Sequence, residues 1–314
     1  MHVYLQDNDL HEALRRDVAL GLTSEPKTLP PKWFYDERGS ELFDEITRLD
    51  EYYPTRCERE ILIERADNIA RVTQARTLVE LGAGSCEKTR LLLGALRLER
   101  YVPVDVSGDY LGEAAATIAA EHPEVAVHPV VADYERHLEL LPRGPRKVVA
   151  FLGSTIGNMF PSERHRFLAD VRKILDSGDF LLLGADLVKD QDRLVRAYDD
   201  ALGVTAEFNR NVLRVINQRL DADFVPEAFA HVALWDPANE WIEMRLRSLA
   251  KQDVRIDRLG ITVHFTDGEE VRTEISTKFR RTCLEEGLAT AGFTLREFWT
   301  DPRSDFSLVL AQPN

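Results

Sequence analysis

The chain has 314 residues, 44% of them hydrophobic and 30% charged, and its 40 basic and 54 acidic side chains give a net charge of −14. This acidic balance disfavours nucleic acids and anionic membranes as partners, because affinity for both depends largely on clustered Lys and Arg. Three scattered cysteines favour neither a disulfide framework nor a metal cage, so we expect a cytoplasmic protein with reduced thiols.

The hydrophobic pattern of the N-terminal third predicts helices. Its first residues lack the basic and apolar stretches of a signal peptide, and no apolar run reaches the roughly 20 residues that cross a bilayer. Between the first two helical patterns, Trp33, Phe34 and Tyr35 follow paired prolines, and their large surfaces predict a packed connector rather than a flexible linker. The predicted helices are residues 9–21, 39–48 and 55–72.

The middle of the chain alternates between apolar strand-like segments and amphipathic helical patterns. The predicted strands are residues 77–81, 100–106, 125–132, 147–153 and 179–186. The predicted helices are residues 87–97, 108–121 and 161–175. This alternation indicates a parallel sheet covered on both faces. Ligands of such sheets bind outside the carboxyl ends of the strands.

The last third changes pattern twice. A helical region at 190–218 precedes strand-like stretches that predict an antiparallel, β-rich insertion: residues 229–235, 240–248, 252–257, 260–266 and 270–279. A helix at 280–291 and strands at 293–299 and 305–311 are expected to rejoin the parallel sheet. The fold class is therefore α/β, with a doubly wound core and a mixed α+β second domain. The core comprises residues 55–189 and 279–314, and the second domain comprises residues 1–54 and 190–278.

The first core strand runs into the turn Gly82-Ala83-Gly84 and then into a helix, as in the first half of a nucleotide-binding βαβ unit. Glycine allows a tight turn and a close approach by a ligand. A dinucleotide fold continues to a third glycine, but Glu87 stands at that position here. This departure disfavours an NAD-dependent oxidoreductase.

The next three strands each end in an acidic residue or a glycine turn. Asp105 closes the second strand, Asp133 and Tyr134 close the third, and residues 151–158 close the fourth. A carboxylate can accept hydrogen bonds from two ribose hydroxyls, and an acid next to an aromatic ring can contact an adenine. This layout is typical of a Rossmann-like class I methyltransferase that uses S-adenosylmethionine (SAM). The alternative is that these residues are ordinary loop carboxylates and turn glycines.

Several segments outside these motifs, together with the fourth loop, resemble one family. They are residues 29–36, 51–56, 151–158, 197–200, 208–211, 242–244 and 274–280. The family is the L-histidine Nα-methyltransferases of ergothioneine biosynthesis, which make hercynine (trimethylhistidine) from histidine with three molecules of SAM. The resemblance extends from about residue 10 to the C-terminus.

The resemblance implies two sets of site residues. The expected cofactor-binding residues are Tyr35, Gly82, Lys88, Asp105, Asp133 and Tyr134. The expected substrate-binding residues are Tyr52, Asn158, Tyr198, Met244, Glu274 and Ser276. Of these, Tyr52, Asn158 and Tyr198 would hold the carboxylate and amine of the amino acid, with Asn158 and Tyr52 in catalytic roles.

The same resemblance assigns the imidazole of histidine to Glu274 and Ser276, with Met244 packed near it. The two polar residues are two apart on a predicted strand, so their side chains leave the same face and could address both imidazole nitrogens. The pattern alone favours a plain solvated face that includes Arg272 and Lys278, and only the resemblance favours a binding face. Met244, in turn, alternates with apolar neighbours as a core residue does.

Other chemistries find little support in the sequence. The eight histidines show no metal-ligand spacing, so we predict no metal site, and Ser154 lacks the second glycine of a nucleophile elbow. We expect a monomer that acts on a free small molecule. Two alternatives to the histidine enzyme remain: a SAM-dependent N-methyltransferase for another amino acid or small amine, and a catalytically silent SAM-binding regulator.

Overall fold

The computed structural model describes the backbone of residues 1–314 and every side chain except that of Asp7. The α-helices are α1 (Asp7–Thr23), α2 (Glu37–Thr47), α3 (Pro54–Thr73), α4 (Thr89–Ala95), α5 (Gly108–Glu121), α6 (Pro161–Lys173), α7 (Gln191–Tyr198), α8 (Val204–Leu220) and α9 (Arg281–Thr290). The β-strands are β1 (His2–Val3), β2 (Lys27–Thr28), β3 (Thr77–Leu81), β4 (Arg100–Asp105), β5 (Ala126–Val127), β6 (Val130–Val131), β7 (Lys147–Phe151), β8 (Phe180–Asp186), β9 (Phe229–Asp236), β10 (Trp241–Ser248), β11 (Gln252–Ile256), β12 (Ile261–Phe265), β13 (Glu270–Thr277), β14 (Phe293–Thr300) and β15 (Phe306–Pro313). Among the helices of the described chain, none combines the length and the apolar content that crossing a membrane requires.

Two predicted elements are interrupted in the structure. The predicted helical region 190–218 consists of α7 and α8, because Gly203 adopts a left-handed conformation with φ of +73°. Asp200 then caps the first turn of α8 by accepting a backbone N–H at 2.7 Å. The predicted strand 125–132 consists of β5 and β6, which flank Pro129, a residue without the N–H that a ladder needs.

The chain forms two compact units. The first contains Met1–Leu5, Pro54–Val188 and Lys278–Asn314, and the second contains Gln6–Tyr53 and Lys189–Thr277. These bounds lie within one residue of the expected domain boundaries except at the N-terminus, which the sequence analysis assigned to the second domain. The first residues belong instead to the first unit, because β1 pairs in parallel with β6 at the edge of its sheet.

The first unit is built on a sheet with the strand order β1-β6-β4-β3-β7-β8-β15-β14, with β5 also paired to β4. From β3 the chain moves outward to β4 and β6 and then crosses to β7 and β8 on the other side. The doubly wound α/β core is thus confirmed, and its order reverses beside β3, where ligands of open α/β sheets bind. The last elements do rejoin this sheet, but β15 runs antiparallel to β8.

The central strands of this sheet are buried because helices cover the sheet. Residues of β3 and β7 are all buried, as expected for central parallel strands. One core cluster joins Val79 and Phe151 of the sheet to Phe167 of α6 and Leu288 of α9. The rigid sheet fixes where each loop at its carboxyl edge begins.

The second unit contains a sheet with the order β2-β13-β10-β9 and a separate hairpin of β11 and β12. Strands β9, β10 and β13 are antiparallel, as expected for the β-rich insertion, whereas the short β2 adds in parallel to β13. In the register of β10 and β13, Met244 lies opposite Glu274 and Ile242 lies opposite Ser276. Side chains of directly paired residues point to the same face of a sheet, so these four share one face.

The aromatic connector before α2 is ordered, as its composition predicts. Trp33 and Phe34 are buried in a short 3₁₀ helix. Asp36 caps α2 by accepting the N–H of Gly39 at 2.8 Å, and the side-chain amide of Asn211 donates to both Asp36 and the Phe34 carbonyl. The connector is therefore held by polar bonds as well as by burial.

We expect Gly39→Ala to destabilise the protein, because a Cβ at this position would lie 1.7 Å from the Phe34 carbonyl oxygen. Overpacking of this kind costs about 1–3 kcal/mol. The control is Gly112→Ala in α5, where an added Cβ would meet nothing within 4 Å. Since Ala favours a helix interior over Gly by about 0.5–1 kcal/mol, the control should raise the thermal unfolding midpoint while Gly39→Ala lowers it. Equal midpoints for the two variants would contradict the packing described for the connector.

Candidate active site

The glycine turn after β3 is tied to the end of β4. Gly82 and Gly84 both have left-handed backbones, with φ of +68° and +50°. The N–H of Gly82 donates to the Val104 carbonyl at 2.9 Å, and that of Gly84 donates to the Asp105 carboxylate at 3.0 Å. The turn therefore sits in one position relative to the neighbouring strand.

Asp105 keeps capacity for a ligand. Its second oxygen accepts the N–H of Ser107 at 3.0 Å, and each carboxylate oxygen can accept a further bond. Burial raises the pKa of Asp105, while the N–H groups of Ser107 and Gly84 oppose that shift. A half-buried carboxylate with fixed geometry is suited to accept hydroxyl groups.

The space in front of the turn is open. A Cβ built on Gly84 would meet nothing within 4 Å, and one built on Gly82 would meet only the Tyr134 ring edge, at 3.9 Å. A nucleoside can therefore approach the backbone here, with the Asp105 carboxylate as acceptor for its ribose. The residues present fit the adenosyl part of SAM.

The loop after β6 carries Asp133 and Tyr134. Asp133 accepts the N–H of Glu135 at 2.9 Å, which fixes its carboxylate. The Tyr134 ring packs edge-on against Phe151 and Phe167, with centroid distances of 5.2 and 5.9 Å. Burial raises the pKa of Tyr134, so its phenol stays protonated at neutral pH. The pair offers an acceptor and an apolar face side by side.

Two buried polar side chains, Glu80 and Cys86, lie next to the glycine turn in the sequence. The Glu80 carboxylate accepts hydroxyl groups of Thr89 and Tyr101, and burial raises its pKa. Cys86 is buried, and burial raises the pKa of its thiol to about 12. A thiol this basic is protonated at neutral pH, so Cys86 packs in the loop rather than acting as a nucleophile.

Lys88 has an internal partner that the sequence analysis missed. Its ammonium donates to the carboxylate of Glu58 at 2.6 Å. Glu58 lies in the buried stripe of α3 between Cys57 and Ile61. A charged residue inside an otherwise apolar helical stripe is the signal that could have identified it, because such residues are buried only when paired.

The loop after β7 is rigid and carries Asn158. Gly153 and Ser154 have left-handed backbones, and the Ser154 hydroxyl accepts the N–H of Asp186 at 2.9 Å. A 3₁₀ helix, Thr155–Asn158, follows. Asn158 is half-buried at its last position. The first unit thus contains the predicted residues Gly82, Lys88, Asp105, Asp133, Tyr134 and Asn158.

The second unit contains the other predicted residues: Tyr35, Tyr52, Tyr198, Met244, Glu274 and Ser276. Tyr198 and Ser276 share a hydrogen bond of 2.8 Å between their hydroxyl oxygens, and Tyr52 packs edge-on against Tyr198 at 6.3 Å. Tyr35 is 38% exposed and packs against Phe208. Two tyrosines and a serine therefore form one cluster.

Glu274, Ser276 and Met244 share one face of the β10–β13 pair, and all three are buried. The alternative of a plain solvated face is wrong, since Lys278 at the end of that pattern is also only 1% exposed. Burial of a carboxylate and a hydroxyl beside apolar neighbours requires polar partners. The face can supply an acceptor and a donor to a ligand of suitable shape.

The side chains of His231, Asn209 and Thr273 form a hydrogen-bonded network that reaches the backbone carbonyl of Tyr198. One ring nitrogen of His231 lies 2.8 Å from the Tyr198 carbonyl oxygen, and the other lies 2.8 Å from the Asn209 amide nitrogen. Since a carbonyl can only accept, the ring nitrogen facing Tyr198 carries the proton and the other accepts from Asn209. The Thr273 hydroxyl donates to the Asn209 side-chain oxygen at 2.6 Å and lies 3.1 Å from the Met244 carbonyl oxygen. The sequence analysis missed this network, because its members are far apart in the chain.

One group of possible metal ligands is present among the described residues: Cys57, Asp301 and Asp305, whose ligand atoms lie within 4.8 Å of one another. Asp301 already accepts the N–H groups of Arg303, Asp305 and Phe306. These bonds cap the turn before β15, which gives the buried carboxylate a structural role.

Comparison with known proteins decides the family. Residues 14–313 match the family model described as histidine-specific methyltransferase, SAM-dependent. The chain belongs to this family. It is 54% identical to the histidine N-alpha-methyltransferase of Mycolicibacterium smegmatis, over 98% of this chain and 97% of that protein. It is 34% identical to the ergothioneine biosynthesis protein 1 of Neurospora crassa, over 88% of this chain and 32% of that protein.

A solved structure also resembles the chain. The CcbJ methyltransferase from Streptomyces caelestis aligns over 80% of this chain and 89% of that chain, with 17% identity and a TM-score of 0.47. The family match establishes SAM as the cofactor, as the sequence analysis predicted. The role of each site residue stays a prediction.

We expect the stability of this methyltransferase to decrease as the pH is lowered, because of His231. Burial lowers the pKa of His231, against the raising effects of the Tyr198 carbonyl and of Asp199 and Asp200. The unfolded chain binds a proton near the ordinary value of about 6.5, so stability is fully present above that pH. It is lost as the pH falls towards the lowered pKa. Thermal unfolding between pH 7.5 and 5.0 should show a smaller decrease in His231→Gln than in the parent.

The control for this experiment is His165→Gln, which changes an exposed histidine of α6. It should keep the pH dependence of the parent. Identical pH dependence in the parent and His231→Gln would show that the buried imidazole does not couple to stability.

Proposed function

We propose that this chain methylates the α-amino group of free L-histidine three times to give hercynine, a step of ergothioneine biosynthesis. The observation that carries the proposal is the buried face on which Glu274 and Ser276 lie beside Met244. Membership of a histidine-specific family supports it. An imidazole needs partners for two ring nitrogens and an apolar contact for its ring, and this face offers all three.

Apart from Tyr35, which lies in the second unit, the residues that we assign to the cofactor lie in the first unit. When bound, SAM provides a methyl group on a positively charged sulfur. The Asp105 carboxylate accepts ribose hydroxyls, and Asp133 and Tyr134 contact the adenine. The open backbone at Gly82 and Gly84 admits the nucleoside without steric conflict. These side chains position the nucleoside and take no part in proton transfer.

The family resemblance assigns the amine and carboxylate of the amino acid to three neutral groups: Tyr52, Tyr198 and Asn158. An α-amino group has a pKa of roughly 8, so most of it is protonated at neutral pH, and a protonated amine has no lone pair to donate. Neutral partners accept the amine without stabilising its charged form. Positioning then supplies most of the acceleration, and the released protons pass to water.

The neutral partners also account for repeated methylation. Each added methyl group removes one N–H, so a site that required several charged contacts to the amine would reject the intermediates. The tyrosine hydroxyls of Tyr52 and Tyr198 can donate as well as accept, and the Asn158 amide does both. The site therefore tolerates primary, secondary and tertiary amines.

A monomeric state and a cytoplasmic location stay predictions of the sequence analysis. Neither affects the proposed chemistry, since the residues assigned to the cofactor and to histidine are all in one chain. The proposed partner is a small molecule, L-histidine.

The direct test is incubation of the protein with SAM and L-histidine, followed by mass analysis of the product. We expect a gain of three methyl groups on histidine and little methylation of the other free amino acids. In Glu274→Ala, kcat/KM for histidine should fall about 10- to 100-fold, because a charged hydrogen bond contributes about 1.5–3 kcal/mol.

The control variant is Asp267→Ala, which removes an exposed carboxylate of the same unit and should leave kcat/KM unchanged. Methylation of another amino acid in preference to histidine by the parent protein would refute the proposed substrate. A Glu274→Ala variant as selective as its parent would refute only the assignment of the imidazole site.

A further inference from the structure

Helix α3 places one carboxylate inside its apolar face. The buried residues of this helix are Pro54, Cys57, Glu58, Ile61, Leu62, Ala66, Ile69 and Thr73. The Glu58 side chain is 0% exposed. Gly184 on β8 leaves the space for it, since a Cβ there would lie 2.0 Å from a Glu58 carboxylate oxygen. A carboxylate in such surroundings costs free energy unless it is paired and hydrogen-bonded.

The partners of Glu58 come from two loops at the carboxyl edge of the sheet. The Lys88 ammonium donates at 2.6 Å to one oxygen. The N–H of Gly153 donates to both oxygens, at 2.8 and 3.0 Å. Lys88 immediately precedes α4, and Gly153 follows β7. One buried carboxylate thus connects the loop after β3 with the loop after β7.

Both partners belong to segments that the proposed function uses. Lys88 retains 27% exposure of its side chain, and an ammonium has three donors, so it can serve a ligand while bound to Glu58. A lysine side chain is a point charge on a flexible stem, which needs a fixed anion to hold it in one place. Gly153 begins the rigid turn that ends at Asn158.

We propose that Glu58 is a positioning residue for methyl transfer. Its carboxylate holds the Lys88 ammonium ready for an anionic group of the cofactor, and it anchors the turn that carries Asn158. The role rests on the proposed function, because that function assigns Lys88 to the cofactor and Asn158 to the amine. Glu58 itself touches neither ligand.

The test compares Glu58→Gln, Lys88→Met and the double variant by calorimetric titration with S-adenosylhomocysteine. Glu58→Gln keeps an acceptor for the Gly153 N–H and removes the charge that holds Lys88. We expect each single variant to raise Kd about tenfold, and the double variant to bind no more weakly than Lys88→Met. KM for SAM should rise by a similar factor in Glu58→Gln, with a smaller effect on kcat.

Thermal unfolding provides a second readout. Lys88→Met leaves the Glu58 carboxylate buried without its cation, so its unfolding midpoint should be lower than that of the double variant. A purely structural Glu58 would show the same coupling with Lys88 in thermal unfolding, but Glu58→Gln would then leave Kd unchanged. Glu60→Gln changes an exposed carboxylate of the same helix and should behave as the parent.

Two results would overturn the inference: unchanged Kd in Glu58→Gln, or a double variant whose Kd shows the product of the two single effects. Both results come from titrations with S-adenosylhomocysteine that contain no histidine. Failure of the parent protein to methylate histidine would therefore refute the proposed function and leave the titrations interpretable.

Discussion

The structure of the site depends on one constraint, the common edge at which the parallel strands end. Strands β3, β4, β6 and β7 run in the same direction, so the loops that follow them start at the same edge of the sheet. Two carboxylates then fix these loops relative to one another. Asp105 accepts the N–H of Gly84, and Glu58 accepts the N–H of Gly153 and the Lys88 ammonium. These bonds hold the loops at the edge in fixed positions relative to one another, and it is at this edge that we propose the nucleoside binds.

In the second unit, hydrogen bonds between neutral side chains hold the polar residues in position. Tyr198 is held from its carbonyl by His231 and from its hydroxyl by Ser276. Because the lowered pKa keeps His231 uncharged at neutral pH, the network brings no positive charge next to Tyr198. A neutral environment suits an amine that must react in its uncharged form.

The sequence predicted the fold well because the signals that determine it are local. Apolar runs of five to seven residues bounded by helices identify the central strands, and the turn at Gly82 marks where the first one ends. Interruptions within an element were harder to see. Pro129 and Gly203 each break a continuous apolar pattern through backbone geometry rather than through hydrophobicity.

The polar contacts that organise the site could not be predicted, because their partners are distant in sequence. Glu58 is 30 residues from Lys88 and 95 from Gly153. His231 is 22 residues from Asn209. A single sequence shows that a charged residue occupies an apolar stripe, but only the three-dimensional structure shows which donor it meets. The family resemblance identified candidates for substrate contact, but it did not identify Glu58 or His231, whose hydrogen bonds hold neighbouring residues in position.

Whether the loops at the carboxyl edge of the sheet bind the nucleoside is tested most directly by the affinity for S-adenosylhomocysteine after a change at the end of β4. Asp105→Asn removes the charge of the carboxylate that accepts the Gly84 N–H and that we propose binds the ribose, and Asp109→Asn makes the same change at an exposed position nearby. We expect the calorimetric Kd to rise about 10- to 100-fold in the first variant and to stay at the parent value in the second. Equal affinities in the parent and Asp105→Asn would contradict this expectation.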